Sequence, residues 1–138
     1  MANFFKAYKK LEVAEGGYVN DKDDLGGETY KGISRKHNPN WIGWCIIDDL
    51  KKHHPNTFAS IAKKTPHLEK AVQELYKKNY WDIFRLDDFN SQKVAEEIFD
   101  MHVNAGKVAT IKLIYKVLGI DEKSHLTDDI LDKISAIS

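Results

Sequence analysis

Residues 16–33, GGYVNDKDDLGGETYKGI, hold five of the chain's eight glycines around an acidic polar centre, and they follow a segment of strong helical periodicity. Glycine admits turns that other residues resist, and polar residues between hydrophobic runs favour a loop over a buried element. The stretch therefore reads as two short arms, Tyr18 to Asn20 and Glu28 to Ile33, joined by a loop. Ahead of it, Phe4, Tyr8, Leu11 and Glu15 follow at steps of four, three and four, so one helical stripe carries three apolar side chains and ends on a carboxylate.

Beyond residue 33 the pattern is mixed up to about residue 56, where Asn38-Pro39 and His54-Pro55 punctuate an aromatic segment containing Trp41 and Trp44. From there it is helical. A short helix is expected near Thr57 to Lys64, and Thr65-Pro66 supplies a cap and first-turn residue for another through about Trp81, with Leu68, Val72, Leu75, Tyr76 and Asn79 facing inward. Ser91 caps a helix with Val94, Ile98, Met101 and Ala105 inward; Gly106 stops it before Val108, Ile111, Tyr115 and Leu118 open the next, which Gly119 ends. Thr127 caps a last helix over about 127–136, with Asp128 and Asp129 in its first turn. The expected fold class is α+β and mainly helical, one domain over 1–138, with a small hairpin flanking a cleft.

Charge narrows the function. Lysine and arginine number 21, as do aspartate and glutamate, so no net field favours nucleic acid or an anionic membrane surface. No apolar run approaches the roughly 20 residues of a membrane span, and no signal peptide is read at the start of the sequence. One cysteine, Cys45, forms no internal disulfide and is expected to be buried as a small apolar residue. Synthesis in the cytoplasm is the expectation. The six histidines lack the spacings of zinc sites, so no metal or cofactor is expected.

Glu15 is the residue with chemical potential. A glutamate at the end of an apolar stripe has its charged form disfavoured by desolvation, which is what a general acid in glycoside hydrolysis needs. Gly16 and Gly17 behind it would let a substrate approach the backbone. Spacing alone leaves open the alternative of a solvated helix end with Gly16 as its stop.

The segment Glu15-Gly16-Gly17-Tyr18-Val19-Asn20-Asp21, followed by Gly26-Gly27-Glu28-Thr29-Tyr30-Lys31-Gly32-Ile33-Ser34, resembles glycoside hydrolase family 108, the bacterial and phage N-acetylmuramidases. Tyr80-Trp81-Asp82 and the run from Phe99-Asp100 to Val103-Asn104-Ala105-Gly106 resemble later helices of that family, so the resemblance covers about residues 1–120. It implies a lysozyme-like fold and hydrolysis of the β-1,4 bond between N-acetylmuramic acid and N-acetylglucosamine in the peptidoglycan glycan strand, with Glu15 as the catalytic glutamate. Relatives that continue past the Asn-Ala-Gly helix carry a longer peptidoglycan-binding region, which the roughly 30 remaining residues do not lead one to expect here. Prolines that relatives place in the acidic loop are replaced by Lys22 and Leu25. A substrate outside the inner membrane implies release from the cytoplasm by lysis, a pore or an exporter.

A second carboxylate would come from Asp21, Asp23, Asp24 or Glu28. Glu28 beside Thr29 suits either the orienting of a water or the holding of the hairpin, while the aspartates are ordinary turn residues. A partner on a loop outside the first helix favours the longer carboxylate separation, about 6.5–9.5 Å, that goes with inversion. Tyr18 is expected in the cleft and Tyr30 near it as sugar-stacking rings, the tryptophans in the core. Asn104 either bonds to the catalytic region or caps its own helix. Two rival functions share the fold: a lytic transglycosylase, which closes an anhydro ring, and a non-catalytic phage or secretion accessory protein, which would have no need of the acid.

Overall fold

The computed structural model describes residues 1–14, 16–23, 27–121 and 125–138, with 12–14 as backbone only. Its elements in chain order are α1 (Phe4–Ala14), β1 (Tyr18–Asn20), β2 (Glu28–Tyr30), β3 (Ile33–Ser34), α2 (Gly43–His53), α3 (Phe58–Ala62), α4 (Pro66–Tyr76), α5 (Gln92–Leu118) and α6 (Asp128–Ser135). Between α4 and α5 run a widened π-helical turn at Lys77–Trp81 and two short 3-10 turns, Asp82–Phe84 and Leu86–Asp88. The fold class is α+β and mainly helical. The chain divides into two compact units, residues 10–75 and residues 1–9 with 76–138.

In residues 10–75 the glycine-rich stretch forms a three-stranded antiparallel sheet in the order β1-β2-β3. Tyr18 pairs with Tyr30, Val19 with Thr29 and Asn20 with Glu28, while Thr29 pairs with Ser34 and Tyr30 with Ile33. The expected second arm is thus two strands. Lys31 and Gly32 both take positive φ, 46° and 80°, and make the two-residue turn whose twist suits adjoining antiparallel strands. Lys31 is held there by its amide, which donates to the Gly17 carbonyl at 3.1 Å, and by its ammonium, 2.6 Å from Glu69.

The aromatic segment that follows becomes α2. Gly43 opens it because the Trp41 indole lies against the Gly43 backbone. That ring is fixed twice, by Nε1 donating to the Ala71 carbonyl at 3.2 Å and by edge-on packing with Trp44 at 5.3 Å. Trp44, Ile47, Leu68 and Val72 are buried, and the Trp44 Nε1 donates to the Asn38 carbonyl at 2.9 Å. Cys45, expected inside, is exposed. It follows Trp44 by one residue, and a helix turns successive side chains by about 100°, so the face that buries Trp44 and Ile47 leaves Cys45 outward. The Thr65 hydroxyl does not cap α4; it donates back to the Ile61 carbonyl at 2.8 Å.

The other unit is built on aromatic packing. Phe4 meets Tyr8, Trp81 and Phe99 with ring centroids 5.6–5.8 Å apart, and Trp81, wholly buried, donates from Nε1 to Asp87 at 2.8 Å. The N-terminus is tied down by Ala2 donating to the Phe89 carbonyl and by the Gln92 side chain bonding both main-chain groups of Asn3. Ser91 and Thr127 cap α5 and α6 as expected, accepting from the amides of Val94 and Ile130.

Three expected faces shift. Asn79 is exposed because the π-helical turn after Tyr76 breaks the 3.6-residue phase and delivers Trp81 inward instead. On α5 the buried residues are Ala95, Ile98, Phe99 and His102, whereas Val94 and Met101 are half-buried and Ala105 is exposed. Gly106, at φ 89° and ψ 175°, breaks α5 and resets its phase. The second half then buries Thr110, Ile111, Ile114 and Tyr115, leaving Val108 68% exposed.

Candidate active site

Glu28 lies at the start of β2, and the alternation of a strand decides its surroundings. Glu28 and Tyr30 share one face, on which Tyr18 is the cross-strand partner of Tyr30 and hence the diagonal neighbour of Glu28. The Tyr18 hydroxyl donates to Glu28 Oε2 at 2.5 Å. Lys51, two turns into α2, donates to the same oxygen. Arg35, just past β3, donates from Nη1 to Glu28 Oε1 at 3.0 Å and makes a two-pronged pair with Asp48 of α2 at 2.8 and 2.6 Å. The main chain repeats the link, with the Arg35 amide donating to the Glu28 carbonyl at 2.9 Å.

Aromatic rings complete the cluster. The Lys51 ammonium sits over the ring of Tyr18 at 4.7 Å and that of Phe58 at 5.5 Å, while Tyr18 and Phe58 meet edge to face at 4.9 Å. Arg35 lies over Trp44 at 5.2 Å. Two carboxylates and two cations balance, which is why four charged groups can share a site where Glu28 is only 15% exposed.

This environment fixes protonation. Burial by itself raises the Glu28 pKa, but the hydrogen bonds from Lys51, Tyr18 and Arg35 outweigh it and hold the carboxyl below its ordinary value. Burial and the adjacent Glu28 push the Tyr18 phenol up. Burial lowers the Lys51 pKa, yet its bonds to Glu28 and Tyr18 more than compensate. Asp48 is held low chiefly by Arg35. Glu28 is therefore a fixed anion. A carboxylate so well supplied with donors is a poor proton donor and a weak base, and is suited to orienting neighbours or facing developing positive charge.

Of the other sequence-predicted residues, Glu15 and Asp24 lie outside the described residues. Gly16 is exposed with open space about it, and at Gly17 a Cβ would fall 2.8 Å from Lys63 Cε. Thr29, whose hydroxyl the water-orienting reading of Glu28 would enlist, follows it directly on β2 and so projects from the opposite face. Tyr30 is 1% exposed and packs in the core, offering no ring to a sugar. The Asp21 carboxylate accepts from the Asp23 amide at 2.9 Å, the bond of a turn, and both residues are exposed. Asn104, in the other unit, is exposed and donates to the carbonyl and carboxylate of Asp100 at 2.9 and 3.0 Å, so it caps its own helix segment. Among the described residues no cluster of histidine, cysteine, aspartate or glutamate could hold a metal ion, and no helix is long and apolar enough to cross a membrane.

Lys51, Arg35, Asp48 and Phe58 were not singled out by the sequence. The one available signal was the Asp48–Lys51 spacing of three, which puts both on one face of a helix.

A profile described as Glycosyl hydrolase 108 matches residues 8–106, a span that includes the Glu15-Gly16-Gly17-Tyr18 motif, the sheet and Lys51. Among solved structures the chain is similar to SagA from Brucella abortus, with a TM-score of 0.59 and 24% identity over 98% of this chain and 70% of that one. No match was found among curated protein sequences. The fold is lysozyme-like, and the chain belongs to the glycosyl hydrolase 108 family of glycoside hydrolases.

Proposed function

We propose that this chain is an N-acetylmuramidase that hydrolyses the β-1,4 bond between N-acetylmuramic acid and N-acetylglucosamine in peptidoglycan, with Glu15 as general acid. The observation that carries the reading is the pairing of Tyr18, the last residue of the Glu-Gly-Gly-Tyr motif, with Glu28 of the Gly-Gly-Glu-Thr hairpin. The two halves of the family motif meet through a hydrogen bond, and the family match spans both. With Glu28 held as an anion, the transferable proton is assigned to Glu15, and the fixed charge of Glu28 serves orientation and electrostatics. Gly16, exposed with open space about it, leaves backbone open to a glycan, whereas Gly17, also expected to admit substrate, is covered by the Lys63 side chain.

The test is mass spectrometry of fragments released from purified peptidoglycan. A free reducing N-acetylmuramic acid end supports the reading, an anhydro end assigns a lytic transglycosylase, and intact glycan strands overturn it. Glu15→Gln should cut release by at least ~10²-fold, the low end for losing a general acid, while Glu12→Gln stays near the parent. A Glu15→Gln protein that cleaves as fast as the parent assigns the acid elsewhere.

A further inference from the structure

We infer that Lys51 is a positioning residue for this hydrolase, tying α2 to the motif by binding Glu28 while its ammonium rests on the Tyr18 and Phe58 rings. The inference rests on the proposed function, since what Lys51 positions is Tyr18, the last residue of the Glu-Gly-Gly-Tyr motif.

Tyr18 follows Glu15 by three residues, and it is the point at which the motif enters the sheet. Its side chain is held at both ends. The hydroxyl is fixed by Glu28 Oε2, and the ring is fixed by its perpendicular packing with Phe58 and by the Lys51 cation over it. Lys51 belongs to both restraints, because the same ammonium also donates to Glu28 Oε2. Arg35 is not equivalent. It binds the other oxygen, Oε1, and its stronger engagement is the two-pronged pair with Asp48. Loss of Lys51 would leave Oε2 with the phenol as its remaining described donor and the Tyr18 ring without its cation. Misplacing a catalytic group by about 1 Å can lower turnover by roughly 10²-fold, so looseness at Tyr18 is expected to appear in kcat.

The chemistry supplies a readout that packing alone does not move. Glu28 is faced by Tyr18 from β1, by Lys51 from α2 and by Arg35 from the segment after β3, with Asp48 acting on it through Arg35. Removing the Lys51 charge removes one of the groups that hold the Glu28 carboxyl low, so its titration must move toward higher pH. Loss of function on the acid side moves with it.

The experiment compares the parent with Lys51→Met, which keeps the aliphatic stem, Lys51→Arg, which restores a cation, and Lys52→Met, an exposed neighbour on the same helix. Steady-state cleavage of soluble, uncross-linked glycan strands is measured across pH, and the Glu28 carboxyl is titrated by NMR. Expected for Lys51→Met is a fall in kcat of about 10-fold or more with KM within about 3-fold, and an acid limb displaced upward together with the Glu28 midpoint. Lys51→Arg should recover most of the turnover, and Lys52→Met should match the parent. An unchanged kcat, or a fall in activity with the acid limb and the Glu28 midpoint both unmoved, overturns the inference. If the parent itself leaves glycan strands intact, the proposed function fails, and an unmoved Glu28 midpoint would then reject the Lys51 clamp separately.

Discussion

Gly43→Ala sets two effects of opposite sign against each other at the start of the helix that carries Asp48 and Lys51. Alanine is favoured over glycine in a helix by about 1 kcal/mol, so propensity alone makes the variant more stable. Against this, a Cβ at residue 43 would stand 2.3, 2.4 and 2.5 Å from three carbons of the Trp41 ring, where ordinary contact begins at 3.4 Å. The indole would have to retreat by roughly 1 Å in a tightly packed interior. It cannot do so freely, because Nε1 is bonded to the Ala71 carbonyl and the ring abuts Trp44. Overpacking costs about 1–3 kcal/mol and the strained or lost hydrogen bond about 1 kcal/mol more. Steric cost wins, leaving the variant about 2 kcal/mol less stable, a fall in Tm of roughly 6–10 °C for a chain of this size. Thermal unfolding followed by far-ultraviolet circular dichroism measures it. In a Trp41→Val background the obstruction is gone, and Gly43→Ala should become neutral or stabilising. A Gly43→Ala protein melting at or above the parent with Trp41 present would refute the packing argument.

Two further outcomes follow from the other unit. His102 is 7% exposed between the rings of Tyr80 and Phe84, its Nδ1 has no partner among the described residues, and burial holds its pKa below the ordinary value. The unfolded chain therefore takes up that proton near pH 6.5 while the folded chain resists it, so stability should fall as pH drops below about 6.5. His102→Phe should flatten urea-unfolding free energies over that window, whereas the loss due to the depressed Glu28 and Asp48 carboxyls sets in only below their unfolded values, about pH 4. A His102→Phe profile as steep as the parent's would count against it. Gly119 ends α5 at φ 67°, with the Ile120 amide donating to the Tyr115 carbonyl at 3.2 Å, so Gly119→Ala should cost about 1 kcal/mol in denaturant unfolding, and no change would show that the turn is not held.

What the sequence made legible was local. The stripe of Phe4, Tyr8 and Leu11, the caps at Ser91 and Thr127, and the breaks at Gly106 and Gly119 are written in residues within a few positions of one another, and each appears in the fold. Periodicity failed wherever a backbone irregularity altered the count. The π-helical turn at Lys77–Trp81 carried Asn79 outward, and the positive φ of Lys31 and Gly32 divided one expected arm into two strands. A lysine at such a turn has no strong sequence signature; what holds it is a main-chain bond to Gly17 and an ion pair with Glu69, 38 residues away.

Glu28 shows why the site was harder to read than the fold. Its two sequence readings, water-orienting group or hairpin anchor, differ in what surrounds the carboxylate, and the groups that decide lie 10, 7 and 23 residues distant at Tyr18, Arg35 and Lys51. Separations of that kind have no period. Only when β1, β2 and α2 are folded together do three donors converge, and their number fixes the chemistry: a partly buried carboxylate with a phenol, a guanidinium and an ammonium directed at it stays ionised and has no proton to give. Asp21 and Asp23 are exposed, with the Asp21 carboxylate accepting from the Asp23 amide in a turn. The anchor role of Glu28 therefore separates it from the protonated acid that glycoside hydrolysis demands, and the assignment of that acid to Glu15 stands as the proposal that Glu15→Gln tests.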